Sequence, residues 1–202
     1  MDYFEVFSLP PKLVLDTAAL EKQFYALSRK LHPDRFAGRP EAEQEAALAE
    51  SSRLNDAYRT LKDPIARTEY LLKLEGVELE EQSRAATDAA KAAGTAKKQV
   101  VPEDLLEEAF ELNMQLEEMR MAKKMGEDDP QLRKDLVAAK AGFDAKMAET
   151  NAELAALWVK WDAGVDAEDA SAKAAARDGM VGLLNRRSYL RNLVRDVNEA
   201  LE

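Results

Sequence analysis

Between residues 132 and 161 a single apolar stripe recurs at helical spacing: Leu132, Leu136, Ala139, Phe143, Met147, Leu154, Leu157 and Trp161. Only an α-helix of about eight turns places these side chains on one side. A helix of that kind cannot bury its stripe alone and needs partner helices. The flanking sequence offers two. Pro102 to about Met125 forms one candidate, stopped by Gly126, and Asp129-Pro130 supplies an N-cap and N1 pair for the long helix. A last helix from about Glu168 to Leu201 carries Met180, Leu183, Leu190, Val194, Val197 and Leu201 on one side. The expected arrangement over 102–202 is an antiparallel three-helix bundle.

Composition agrees with helix throughout. Only 6% of the 202 residues are aromatic, and Ala, Leu, Glu and Lys prevail over β-branched residues. With no Cys there is no disulfide, thiolate metal site or Cys nucleophile, and with one His there is no multi-histidine site. No metal or other cofactor is expected. A net charge of −10 argues against a nucleic-acid partner. No run approaches the ~18 apolar residues of a membrane span. Glu5 and Asp2 stand where a signal peptide would be basic and then apolar, so the expected location is the cytoplasm.

The first 75 residues are built differently. Pro10-Pro11, His32-Pro33-Asp34, Gly38-Arg39-Pro40 and Asp63-Pro64 cut them into short pieces. Asp16 is a plausible N-cap for a helix to Leu31, whose core side is Leu20, Phe24, Leu27 and Leu31. Lys22 and Arg29 lie opposite that side. A second helix, about Pro40 to Lys62, has Leu54, Ala57, Tyr58 and Leu61 as its apolar side and should pack antiparallel on the first. A third runs from Asp63-Pro64 through Leu74 and ends at Gly76. Residues 80–101 hold seven alanines between Ala85 and Ala96 and no large apolar residue before Val100, so 77–101 reads as an Ala-rich linker. The expected domains are therefore 1–76 and 102–202. Charge divides unequally: residues 1–75 carry 11 basic and 13 acidic side chains, the remainder 18 and 26.

His32-Pro33-Asp34 stands where the first two long helices turn. Pro33 fixes its own φ and biases His32 away from helical geometry, so the tripeptide is stiff. Two readings follow from the residues: a rigid turn with a capping Asp, or a histidine with a chemical role. A general base needs a partner that holds its tautomer and a pocket that excludes water, and the neighbouring sequence suggests neither.

The helix from Pro102 has two apolar sides. Leu105, Ala109, Leu112, Leu116 and Met119 form one, and Phe110, Met114 and Met121, with Leu106 at their edge, lie about 140–180° around. Glu107, Glu111, Glu117 and Glu118 surround the second. Either both sides are covered by neighbouring segments, or the second is an adaptable binding surface.

The N-terminal region resembles a J domain. The likeness rests on Asp2-Tyr3-Phe4 with Leu9, Lys30-Leu31, His32-Pro33-Asp34-Arg35-Phe36, Leu54-Asn55-Asp56-Ala57-Tyr58 with Leu61, Asp63-Pro64, Arg67 and Tyr70-Leu71-Leu72. Tyr3-Phe4, Phe36, Arg67 and Tyr70-Leu71-Leu72 are similar to one branch, the HscB (mitochondrial Jac) co-chaperones of iron–sulfur cluster biogenesis. The implied fold is all-α, with an antiparallel helical hairpin and short flanking helices followed by a C-terminal three-helix bundle. The implied partners are a DnaK/HscA-type ATP-driven chaperone and an IscU-type cluster scaffold protein. His32, Pro33 and Asp34 would stimulate the chaperone's ATPase, and Lys22, Arg29, Lys30 and Arg35 would meet an acidic surface on it. The family's scaffold-binding positions carry over to Leu106, Phe110, Glu111, Met114, Glu118 and Tyr189. Tyr189 lies about 120° from the core stripe of its helix, so it is expected to be exposed. The chain would be an adaptor, not an enzyme. A J-domain co-chaperone for a different client and an enzyme using His32 are the alternatives.

Overall fold

The computed structural model describes residues 1–77, 79, 101–127 and 129–202. Seven α-helices occur among them and no strand: α1 Tyr3–Val6, α2 Thr17–Lys30, α3 Glu41–Lys62, α4 Pro64–Leu74, α5 Leu106–Met125, α6 Pro130–Asp166 and α7 Ala170–Leu201. Apart from its ends, the expected linker lies outside the described residues.

Local chemistry accounts for the helix ends. The Asp16 carboxylate accepts the Ala18 and Ala19 N–H groups, both at 3.0 Å, and the Asp63 carboxylate accepts Ala66 N–H at 2.7 Å ahead of Pro64. Asp129 does the same for Gln131 and Leu132. Gly76 and Gly126 take positive φ just past α4 and α5, where a Cβ would be strained. Two boundaries differ from the sequence reading. Glu103–Leu105 forms a 3-10 turn, so α5 begins at Leu106 rather than Pro102. Glu168 adopts φ 53° in the turn after α6, and Asp169 caps α7 through the Ser171 and Ala172 N–H groups. The last helix therefore starts at Ala170.

The chain separates into two compact units. One unit joins Met1–Leu79 with Leu157–Asp178; the described part of the other lies within 101–156 and Gly179–Glu202.

In the first unit α1, α2 and α4 pack on α3. Glu21 and Phe24 of α2 meet Tyr58 and Lys62 near the end of α3. The Phe24 and Tyr58 rings stack at 4.1 Å, Tyr58 O–H donates to Glu21 at 3.0 Å, and Lys62 pairs with Glu21 at 3.6 Å. Contacts between the start of one helix and the end of the other make the pair antiparallel. Phe4, Phe7, Leu13, Leu20, Leu54, Leu61, Leu71 and Leu72 are buried. Tyr3 stacks on Tyr70 at 4.4 Å, and its N–H donates to the Tyr70 hydroxyl at 2.9 Å. Burial pushes the Tyr70 phenol up.

The segment preceding α2 is tied to α6. The Trp161 indole N–H donates to the Pro11 carbonyl at 3.0 Å, and Asp162 accepts Leu13 N–H at 2.7 Å and Val14 N–H at 2.9 Å. Lys12 pairs with Asp166 at 2.5 Å. The Arg67 guanidinium is buried and donates to the Leu61 carbonyl. Burial pulls its pKa down, against the opposing pull of Asp162 and Asp63. Between α6 and α7, a Cβ on Gly164 would meet the Lys173 backbone nitrogen at 3.2 Å and its Cγ at 3.0 Å. Only glycine permits that approach without displacement.

In the second unit Leu105, Ala109, Leu112, Leu116 and Met119 are all buried, together with Leu132, Leu136 and Phe143 of α6 and Leu190, Leu193 and Val197 of α7. Gly182 sits exposed in α7, and a Cβ there meets nothing within 4 Å. Gly182→Ala should raise stability by roughly 0.5–1 kcal/mol, the helix-propensity difference. Gly164→Ala should lower it. Urea unfolding of the two variants checks both signs, and equal shifts would refute the close-approach account of Gly164.

Candidate functional site

The turn after α2 is short because its residues close on themselves. Pro33–Arg35 forms one 3-10 turn, in which Arg35 N–H donates to the His32 carbonyl at 2.9 Å. Asp34 N–H lies 3.4 Å from His32 Nδ1, and the Asp34 carboxylate lies 3.5 Å from the same nitrogen. The His32 side chain is 57% exposed. Open to water on that scale, it lacks the dry surroundings that make a general base effective. It is well placed to be touched by another molecule.

Cations gather beside it. Arg29 and Lys30 occupy the last turn of α2, where they also oppose the negative end of the helix dipole. The Arg35 guanidinium donates to the Arg29 carbonyl at 3.3 Å, which holds it against that helix end. Lys22 is exposed two turns earlier. None of Lys22, Arg29, Lys30 and Arg35 forms an ion pair with any described residue, whereas Lys12 and Lys62 of the same unit do. Exposed and without an ion pair to any described residue, the four present their charge to solvent.

On α5 the second apolar side is uncovered. Leu106, Phe110, Met114 and Met121 are exposed, and so is Met125, which continues the stripe one turn further. Sequence reading missed Met125, although its spacing of four from Met121 was a usable signal. Glu107, Glu111, Glu117 and Glu118 are exposed around the stripe, with Glu117 paired to Arg120.

Tyr189 does not meet the expectation of exposure. It is half-buried and packs against the apolar core of its unit, which pushes its phenol up. The 120° offset misled because α7 lies between neighbours and buries an arc wider than a single stripe.

Comparison with known proteins separates the two halves of this description. Residues 2–70 match the DnaJ domain. The chaperone HscB of Vibrio cholerae is 28% identical, with a TM-score of 0.52 over 95% of this chain and 96% of that one. Residues 2–70 are a J domain, and the chain as a whole is HscB-like. The human co-chaperone HscB shares the fold at 23% identity, with a TM-score of 0.59 over 98% of this chain and 81% of that chain. As in any J-domain co-chaperone, the partner implied is an Hsp70-type chaperone. Among the described residues no helix is long and apolar enough to cross a membrane, and no cluster of potential metal ligands occurs.

Proposed function

We propose that this HscB-type co-chaperone stimulates ATP hydrolysis by a DnaK/HscA-type chaperone and delivers to it an IscU-type scaffold protein carrying an iron–sulfur cluster. It would act in the cytoplasm, as a non-catalytic adaptor. The observation that carries the reading is the turn of a DnaJ domain at which His32 and Asp34 are exposed, with Arg29, Lys30 and Arg35 beside it and Lys22 two helical turns back, none of them paired with a described carboxylate.

Scaffold delivery is supported by the uncovered side of α5. Its apolar centre and acidic rim have the composition of a protein interface. Leu106, Phe110 and Met114 would supply apolar contact, and Glu111 and Glu118 would orient a partner with basic rim residues. Tyr189 would contribute only its exposed edge. The cluster is cargo: with no Cys and with His32 committed to the turn, the chain carries no thiolate or paired imidazole to take it.

Steady-state ATPase of the chaperone, with and without scaffold, tests the proposal. The chain should stimulate the chaperone by itself, stimulate it further with scaffold present, and hydrolyse nothing alone. Phe110→Ala should weaken scaffold binding by about tenfold or more, as removal of an aromatic anchor does, while leaving the scaffold-independent stimulation intact. Stimulation without any contribution from scaffold would favour a different client. An activity that persists without chaperone would favour a His32 enzyme.

A further inference from the structure

The exposed side of α5 is rich in sulfur, and the sulfur is sorted. Met114, Met121 and Met125 are 60%, 66% and 75% exposed, whereas Met119 on the opposite side of the same helix is 3% exposed and Met180 in α7 is fully buried. Steps of seven and four residues put the three open thioethers along one edge of the helix, in line with Leu106 and Phe110. Thioether oxidation follows access, so on the second unit these three sulfurs are the ones most open to an oxidant in solution; Met1, 82% exposed, is the other open thioether and lies in the first unit, away from α5 in sequence.

We propose that Met114, Met121 and Met125 form an oxidation-sensitive switch on the scaffold-docking side of α5. The inference rests on the docking reading given above and adds its regulation. Hydrogen peroxide transfers one oxygen atom to the thioether: an S–O bond forms, the O–O bond breaks, and the second oxygen leaves as water. Sulfur loses two electrons and the peroxide gains them. Two thiols of a methionine sulfoxide reductase reverse the change, yielding thioether, disulfide and water.

The product is a strong hydrogen-bond acceptor where the thioether was apolar. A sulfoxide exposed on the free protein is solvated at little cost, so the fold is unaffected. Pressed into an apolar interface, it loses that water without gaining a donor, and the cost falls on binding alone. Around Met114 the acidic rim deepens the penalty, because Glu107, Glu111 and Glu118 are also acceptors and offer the sulfoxide no hydrogen bond. Unloading the scaffold under peroxide is useful chemistry, since its cargo is itself oxidisable. The His32-Pro33-Asp34 turn and its four cations contain no sulfur, so the switch disconnects one partner and spares the other.

The test uses the full chain, graded hydrogen peroxide, peptide mass analysis, calorimetric titration with purified IscU-type scaffold, and chaperone ATPase measured without scaffold. Met114, Met121 and Met125 should oxidise before Met119 and Met180. Scaffold affinity should then fall by about tenfold or more, with helical circular dichroism and scaffold-independent stimulation unchanged. Reduction by the sulfoxide reductase should restore binding. The triple variant M114L/M121L/M125L, whatever its own affinity, should show no further change with peroxide. Met121→Gln, which adds a permanent polar group, should weaken binding without any oxidant. Unchanged affinity after the three sulfurs are oxidised overturns the switch while leaving the docking reading in place. So does a triple variant that stays as peroxide-sensitive as wild type. Failure of the untreated chain to bind scaffold overturns both.

Discussion

His32→Gln should leave the protein as stable as wild type and remove most of its stimulation of the chaperone. Among the described residues the imidazole's polar contacts are local, with Asp34 N–H at 3.4 Å and the Asp34 carboxylate at 3.5 Å, and more than half of it faces water. Losing such contacts changes stability within about 0.5 kcal/mol. What holds the turn in shape is the 3-10 turn with its Arg35 N–H bond to the His32 carbonyl, and Gln keeps that backbone bond. An anchor residue at the centre of an interface is worth about 2 kcal/mol or more, so stimulation at fixed, subsaturating concentration should fall at least about tenfold. Thermal unfolding and steady-state ATPase, measured on the same preparation, separate the two effects. Full stimulation by the variant would take the tripeptide out of the mechanism; a large loss of stability would mean that the turn is structural.

Trp161→Ala should be the most damaging single truncation in the first unit. The indole is completely buried, its N–H donates to the Pro11 carbonyl, and the Lys173 ammonium lies 4.9 Å from the ring centroid. Replacing a buried Trp by Ala costs about 3–5 kcal/mol, a large part of the 5–15 kcal/mol by which a typical domain is stable. Trp161→Phe keeps most of the apolar volume and forfeits the hydrogen bond, for about 1–2 kcal/mol. Guanidinium unfolding of the pair provides the measurement. A Trp161→Ala cost below about 1 kcal/mol would show that residues 157–178 are not cooperative with the segment before α2. The same ties bear on truncation. A fragment that stops at residue 76 has neither Trp161 nor Asp162, so Pro11, Leu13 and Val14 lose the partners that pin them.

That tie marks the boundary of what the sequence could show. Features set by residues a few positions apart were legible: the Asp16, Asp63 and Asp129 caps, the glycine stops at Gly76 and Gly126, and the two opposed sides of α5, one buried and one exposed. Each depends on backbone geometry that neighbouring residues determine. Ala47, Leu184 and Leu193 were missed as core because a helix between neighbours buries a broad arc, and alanine carries little hydropathy signal. Asp162 was invisible for another reason. Its role is to accept two N–H groups nearly 150 residues away, and nothing in its local sequence distinguishes it from a solvated carboxylate. The His-Pro-Asp end was legible through its motif, whereas the exposed apolar side of α5 was legible only as a pattern, which is why the half-buried Tyr189 and the added Met125 emerged from structure.

The position of the cations along α2 decides how they can be interrogated. Arg29 and Lys30 sit in the final turn, where positive charge also steadies the helix by about 0.3–1 kcal/mol each, and the Arg29 carbonyl anchors Arg35. Reversing either charge therefore loosens the scaffold of the turn while altering its field, and a weakened chaperone response would confound the two. Lys22 lies well inside the helix, away from its dipole ends and from the turn. It is the probe through which electrostatic attraction can be titrated against ionic strength with the local geometry held constant.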